Sequence, residues 1–165
     1  MKTAYCTNCQ STVKVYHDFG NNYIDVYYCS ECESELNYNF KFCILAAGRG
    51  TRNNDISGLH KALLPLENKP VISYIIDKLD TQVEIVIAVG YKSEQIKTYL
   101  DTVYTDRKIT YVDVDNYDKK GSGPGYSLLC CKDELQVPFM FTSVDTIVDE
   151  DMAFNYISDN WLGVS

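Results

Sequence analysis

The residues best placed to do chemistry form two groups. The first is Leu45-Ala46-Ala47-Gly48-Arg49-Gly50-Thr51-Arg52, which directly follows the apolar run Phe42-Cys43-Ile44. Glycines at 48 and 50 let the backbone approach a ligand closely. Successive N–H groups in such a turn can cradle phosphate. Arg52 and Lys61 would neutralise a triphosphate, the guanidinium as a planar fork and the ammonium as a point charge. The loop is neither of two better-known phosphate binders. No Gly-Lys-Ser/Thr follows at P-loop spacing, and Asn53 stands where a dinucleotide fingerprint needs its last glycine.

The second group is Cys6-x2-Cys9-x19-Cys29-x2-Cys32. This is the spacing of a zinc site. Each Cys-x-x-Cys turn offers two thiolates to one tetrahedral ion, and four thiolates close its coordination sphere, so the Zn2+ would be structural. A disulfide pair or a redox Cys-x-x-Cys is the competing reading. Two matched pairs in a chain read as cytoplasmic disfavour both. The remaining cysteines, Cys43, Cys130 and Cys131, lie in apolar contexts and read as small core residues.

These groups need elements to hold them. Thr12–Tyr16 and Tyr23–Tyr28 have strand character, with the turn residues Gly20-Asn21-Asn22 between them, so a hairpin should join the two cysteine pairs. A segment of this size (1–38) buries too little apolar surface to fold unaided, and zinc would supply the folding free energy, on the order of 10–16 kcal/mol in small zinc peptides. Six tyrosines (Tyr5, Tyr16, Tyr23, Tyr27, Tyr28, Tyr38) fit packing of that small core better than a binding platform. As an exposed surface they would suit a homo-oligomer.

From residue 39 the pattern changes. Phe40–Leu45 reads as a strand ending at the glycine loop. Pro70 suits the first turn of a helix, with Val71, Ile72, Ile75, Ile76 and Leu79 at helical spacing. Val83–Val89 is a strand stopping at Gly90, and Ser93 can cap a helix to about Leu100. Ile109–Val114 is a third strand. Gly121, Gly123, Pro124 and Gly125 open a helix to about Glu134. Val137–Phe141 is a strand leading to Asp145, and 149–159 has helical pattern. This alternation predicts an α/β fold: a Rossmann-like, mostly parallel sheet with helices on both faces. Such sheets bind ligands at the carboxyl ends of their strands, where the 48–50 loop, Gly90 and Asp145 all fall.

Composition narrows the classes. The chain has 165 residues, 45% hydrophobic and 23% charged, with 15 basic against 23 acidic residues and a net charge of −8. That mix excludes a disordered chain. The acidic balance argues against duplex binding, which needs a basic face, and the ribbon region has few cations. No apolar run approaches the length of a membrane span or signal peptide. The expectation is a cytoplasmic protein with no membrane and no nucleic-acid partner. Asp113, Asp115 and Asp118 read as a solvated loop. His17 reads as a surface residue, and His60 as structural more readily than as a phosphate contact.

Leu45–Arg52, then Lys61-Ala62-Leu63-Leu64-Pro65-Leu66, then Lys69-Pro70-Val71-Ile72 together resemble the signature of the sugar-1-phosphate nucleotidyltransferase superfamily. The resemblance covers about residues 40–160 and implies a reaction. The phosphate of a phosphorylated sugar, or of a phosphocholine-like alcohol, attacks the α-phosphate of an NTP, and pyrophosphate leaves. It implies nucleotide contacts from Leu45, Ala46, Ala47, Gly48, Gly50, Thr51, Gly90, Gly123 and Gly125, catalytic roles for Arg52 and Lys61, and Asp145 as the catalytic Mg2+ ligand. Two positions depart from the pattern. Val144-Asp145 replaces Gly-Asp, and Asn68 replaces a glycine, a change Asn accommodates because it tolerates positive φ. The family continues into an acceptor-binding half with a second metal carboxylate, so the resemblance implies C-terminal truncation of residues 39–165 relative to that pattern. A truncated or degenerate nucleotide-binding module, with the zinc ribbon serving assembly or regulation, is the alternative.

Overall fold

The computed structural model describes residues 3–6, 9, 11–18, 26–33, 40–50, 58–79, 81 and 83–146. They fall into two compact units, one within Met1–Asn39 and one within Phe40–Asn155. Thr51, Arg52 and the 149–159 segment lie outside the described residues.

In the first unit, β1 (Thr3–Cys6), β2 (Ser11–Asp18) and β3 (Val26–Cys29) form an antiparallel sheet in that order. β2 carries Thr12, Val13, Val15 and Tyr16, side chains that favour the pleated backbone. The hairpin expected between the cysteine pairs is the β2–β3 pair, with Tyr16 opposite Tyr28. β2 runs on to Asp18, β3 covers Val26–Cys29, and residues 23–25 lie outside the described residues. β1, with Cys6 opposite Ser11, is a strand that the sequence reading did not contain.

The second unit begins with β4 (Lys41–Ala46). After a 3-10 turn at Lys61–Leu63 come β5 (Pro65–Leu66), β6 (Lys69–Pro70) and α1 (Val71–Ile76). Then follow β7 (Glu84–Val89), α2 (Ser93–Val103), β8 (Ile109–Asp113), α3 (Pro124–Cys130) and β9 (Phe139–Ser143). Four of these strands form a parallel sheet in the order β8-β7-β4-β9, with Cys43 flanked by Val86 and Phe141. β4 and β7 are central and buried on both faces, which is why they read as continuous apolar runs.

The chain steps from β4 to β7 to β8 in one direction, then returns past β4 to β9. Right-handed crossovers therefore put α1 and α2 on one face and α3 on the other. On the α3 face, Cys43, Leu45, Ala47, Val86 and Ala88 pack with Cys131 and Leu135, and Tyr126, Leu128 and Cys130 cover them. Strand alternation leaves Phe42, Ile44, Ile85 and Ile87 for the other face. There Ile72, Ile75 and Ile76 of α1 and Ile96 and Leu100 of α2 are buried.

Five local expectations need correction. Pro70 is not a helical residue. It pairs with Pro65 in the β5–β6 hairpin and stands before α1 with extended φ and ψ. α1 ends at Ile76, and Lys78 and Leu79 continue through i→i+3 bonds to Ile75 and Ile76, the tightening common at helix ends. Ser93 is the first helical residue of α2, not its cap; Lys92 precedes it in the left-handed region at φ 49°. The positive φ of the β5–β6 turn falls on Glu67 (φ 55°), not on Asn68. α3 ends at Cys130, and turns carry the chain on to Glu134.

Candidate active site and thiol cluster

The strand order reverses between β4 and β9, and open α/β sheets leave a crevice at the carboxyl ends of the strands at such a point. Two features meet there. The backbone N–H of Val144 donates to the Leu45 carbonyl (3.1 Å), so the β4–β9 pairing runs one residue past the strand end and sets Asp145 beside the loop that leaves β4. Lys61 enters from the 3-10 turn, and its Nζ lies 3.0 Å from Asp145 Oδ2. Burial pushes the Asp145 carboxyl up. The Lys61 ammonium, the Ser143 hydroxyl and the residue's own N–H outweigh that and hold it below the usual carboxylate range. The pair thus sets an ammonium against a carboxylate.

The loop itself is built on this pair. Gly50 has φ 64°, and a Cβ there would sit 3.2 Å from Lys61 Cδ, so the loop backbone rests on the lysine stem. At Gly48 a Cβ would meet open space, which leaves this part of the backbone open to a ligand. Ala47 is fixed by its carbonyl, which accepts from the Tyr91 N–H (3.0 Å). The Arg49 guanidinium stacks 5.1 Å from the Tyr91 ring centroid, with Asp118 3.7 Å away. Asp118 therefore has an ionic partner and does not merely sit in solvent.

Gly90 has a packing reason to be glycine. A Cβ there would stand 2.8 Å from both the Ala47 carbonyl oxygen and Tyr117 Cδ1. Gly123 and Gly125 begin α3, where added Cβ atoms would meet nothing within 4 Å. No hydrogen bond or ion pair among the described residues joins them to Lys61 or Asp145. Gly125 lines an open apolar groove of about 350 Å³ with Leu128, Leu129 and Phe139. Leu45 and Ala46 are buried in β4, so any ligand contact from them would be through backbone.

Sequence reasoning missed Gln95. Its Oε1 accepts from the His60 N–H (2.8 Å), and its Nε2 donates to the Gly58 carbonyl (3.1 Å). It therefore holds the chain just before Lys61. Nothing in the local pattern of α2 marks it, because the contact spans 35 residues.

In the first unit, the Sγ atoms of Cys9, Cys29 and Cys32 lie within 4.8 Å of one another, with Cys9 and Cys29 3.7 Å apart. The Glu31 N–H donates to Cys29 Sγ (3.4 Å). The side chain of Cys6 lies outside the described residues. Three converging sulfurs form a donor set suited to a soft or borderline ion.

An open parallel sheet with a cation–carboxylate pair and a glycine loop at its switch point defines a ligand-binding α/β domain of the doubly wound class. Residues 42–160 match the MobA-like NTP transferase domain, and the chain belongs to that family. It is 31% identical over 124 residues to the bifunctional protein GlmU of Methanococcus vannielii, covering 74% of this chain and 28% of that one. It is 30% identical over 112 residues to the UTP–glucose-1-phosphate uridylyltransferase AglF of Haloferax volcanii, covering 66% and 44%. Among solved structures, the CTP:phosphocholine cytidylyltransferase LicC of Streptococcus pneumoniae matches with a TM-score of 0.52 at 31% identity, over 64% of this chain and 45% of that one. A UDP-glucose pyrophosphorylase complexed with UDP-glucose shares the fold, with a TM-score of 0.53 at 22% identity. The chain thus spans less than half the length of each of these relatives for which it covers most of its own residues. No helix among the described residues is long and apolar enough to cross a membrane.

Proposed function

We propose that this chain carries the nucleotide-binding portion of a nucleotidyltransferase that transfers a nucleoside monophosphate from an NTP to a phosphorylated sugar or phosphocholine-like alcohol. An oxygen of the acceptor phosphate forms the new bond to the α-phosphorus. The bond from that phosphorus to the bridging oxygen breaks, and pyrophosphate leaves with the electron pair. Such transfer depends mainly on positioning and charge neutralisation. Backbone N–H groups of Gly48, Gly50 and Thr51 hold the triphosphate, and Arg52 and Lys61 balance its charge. Asp145 would hold Mg2+ through its carboxylate oxygens. When bound, the ion supplies charge for the phosphate oxygens. In the free protein Lys61 occupies the Asp145 carboxylate; on nucleotide binding its ammonium would turn to phosphate, which leaves the carboxylate free. Gly90, Gly123 and Gly125 shape the surrounding loops.

The observation that supports this best is the 3.0 Å Lys61–Asp145 pair at the switch point. Calorimetric titration with each NTP and Mg2+ tests it. One nucleotide should bind, and Asp145→Ala should weaken the Mg2+-dependent binding by about tenfold or more, as expected for a lost charge-assisted contact. No heat with any nucleotide would end this reading. The second reading is a nucleotide-binding module. It gains if nucleotide binds but no acceptor releases pyrophosphate.

The first unit is read as a zinc ribbon, with Cys6 completing the set of Cys9, Cys29 and Cys32 around one structural Zn2+. Elemental analysis of reduced, folded protein should find about one zinc per chain. A metal-free folded sample would remove the claim.

A further inference from the structure

His60 lies outside the roles assigned so far, yet it is completely buried, one of only two such polar residues among the described core. Its backbone N–H donates to Gln95 Oε1 (2.8 Å), and its Nδ1 accepts from the Ala62 N–H (3.0 Å). An accepting Nδ1 carries no proton, so the neutral ring must carry its proton on Nε2. Burial, reinforced by the Lys61 and Lys92 charges, keeps the ring neutral. Its Nε2 is buried and makes no aligned hydrogen bond among the described residues. The carbonyls of Gly48 and Ala46 act on this ring as acceptors, raising its proton affinity. A donor thus sits under the loop, near two carbonyls, without an aligned bond to either. The neighbouring residue touches the same loop, since Gly50 rests on the Lys61 stem.

We propose that His60 is a positioning residue for the phosphate loop, its Nε2–H closing on the Gly48 or Ala46 carbonyl when a triphosphate occupies the site. In a trans peptide the C=O and the following N–H point in opposite directions. Holding the Gly48 carbonyl down onto the imidazole therefore turns the Arg49 N–H outward toward the ligand, and holding the Ala46 carbonyl does the same for Ala47. Through Nδ1 the same ring fixes the turn that delivers Lys61. One side chain then sets both the amide donors and the cation. The ligand half of this inference rests on the nucleotidyltransferase reading above.

The test uses the full chain labelled with 15N-histidine. There are only two histidines, so His17→Gln assigns the spectrum. Expected are an Nε2–H tautomer for His60 in the free protein and, on adding Mg2+ with the NTP that binds, a downfield and slowly exchanging Hε2 proton. His60→Asn keeps an acceptor for the Ala62 N–H but removes the Nε2 donor; it should bind that NTP about tenfold more weakly, the loss typical of one hydrogen bond to a positioned group. His60→Gln, which can present an N–H near the Nε2 position, should recover part of the affinity. An Nδ1–H tautomer, His60 resonances unmoved by a bound NTP, or wild-type affinity in His60→Asn would overturn the proposal. If wild type binds no NTP, the nucleotidyltransferase reading fails and so does the ligand-triggered closure. The tautomer and the exchange rates of the Ala47 and Arg49 amides in His60→Gln then decide whether His60 orders the loop at all. Where His60→Asn does not fold, His60→Gln and the wild-type spectra carry the test.

Discussion

Gly90 and His60 show how far single residues can be read. Gly90 marked a strand end in the sequence, and the resemblance made it a nucleotide contact. The fold adds a steric reason, because a methyl group there meets a carbonyl oxygen and a tyrosine ring at 2.8 Å. Gly90→Ala should destabilise the protein by about 1–3 kcal/mol through overpacking, whereas Gly123→Ala, facing open space, should change stability far less; urea unfolding compares them. His60 gives a pH dependence. Burial first, then the nearby lysines, lowers it from 6.5 to about 4. The folded state therefore binds fewer protons than the unfolded chain between those values. Its stabilisation is fully present above about pH 6.5 and is lost as pH falls toward 4, with a slope of up to about 1.4 kcal/mol per pH unit. Urea midpoints at pH 7 and pH 4.5 should differ less in His60→Asn than in wild type. The exposed Lys61–Asp145 pair (Asp145 side chain 63% exposed) contributes little to stability by comparison.

Elements were legible where one physical signal dominated. β4 and β7 announced themselves because strands buried on both faces are apolar throughout. α2 was expected from Ser93 as a cap, which proves to be its first helical residue, and its burial follows helical spacing: Ile96 and Leu100 are fully buried while Val103 is half exposed. Leu100→Ala should cost about 2–5 kcal/mol, and Val103→Ala within about 0.5 kcal/mol, by equilibrium unfolding. Boundaries were less legible because distant contacts set them. Pro70, a good first-turn residue by local rules, is taken by pairing with Pro65. The turn at 67–68 puts its strained φ on Glu67, although Asn68 has the better intrinsic tolerance. Nothing in the local sequence carries that choice.

For the molecule as a whole, the two units give the zinc reading a separable consequence. If one Zn2+ holds the first unit, a strong chelator should remove the thermal transition of the three-stranded sheet and leave that of the parallel sheet, since metal binding is folding free energy only for the unit that ligates it. Differential scanning calorimetry with and without chelator reads this, and a single transition lowered as a whole would contradict it. In the second unit the reversal of strand order between β4 and β9 brings together Lys61 and Asp145, 84 residues apart.

The sequence by itself determined the α/β class, the alternation of strands and helices, and the residue types of the site. These rest on periodicity, glycine and charge, which act over a few residues. Tertiary structure alone decided that Asp145 meets Lys61, that Gly90 must yield to Tyr117, that Gln95 steadies His60 and that the imidazole Nδ1 meets the Ala62 N–H. Each depends on which distant groups share a desolvated space, and that is fixed only when the crossovers have placed the strands side by side.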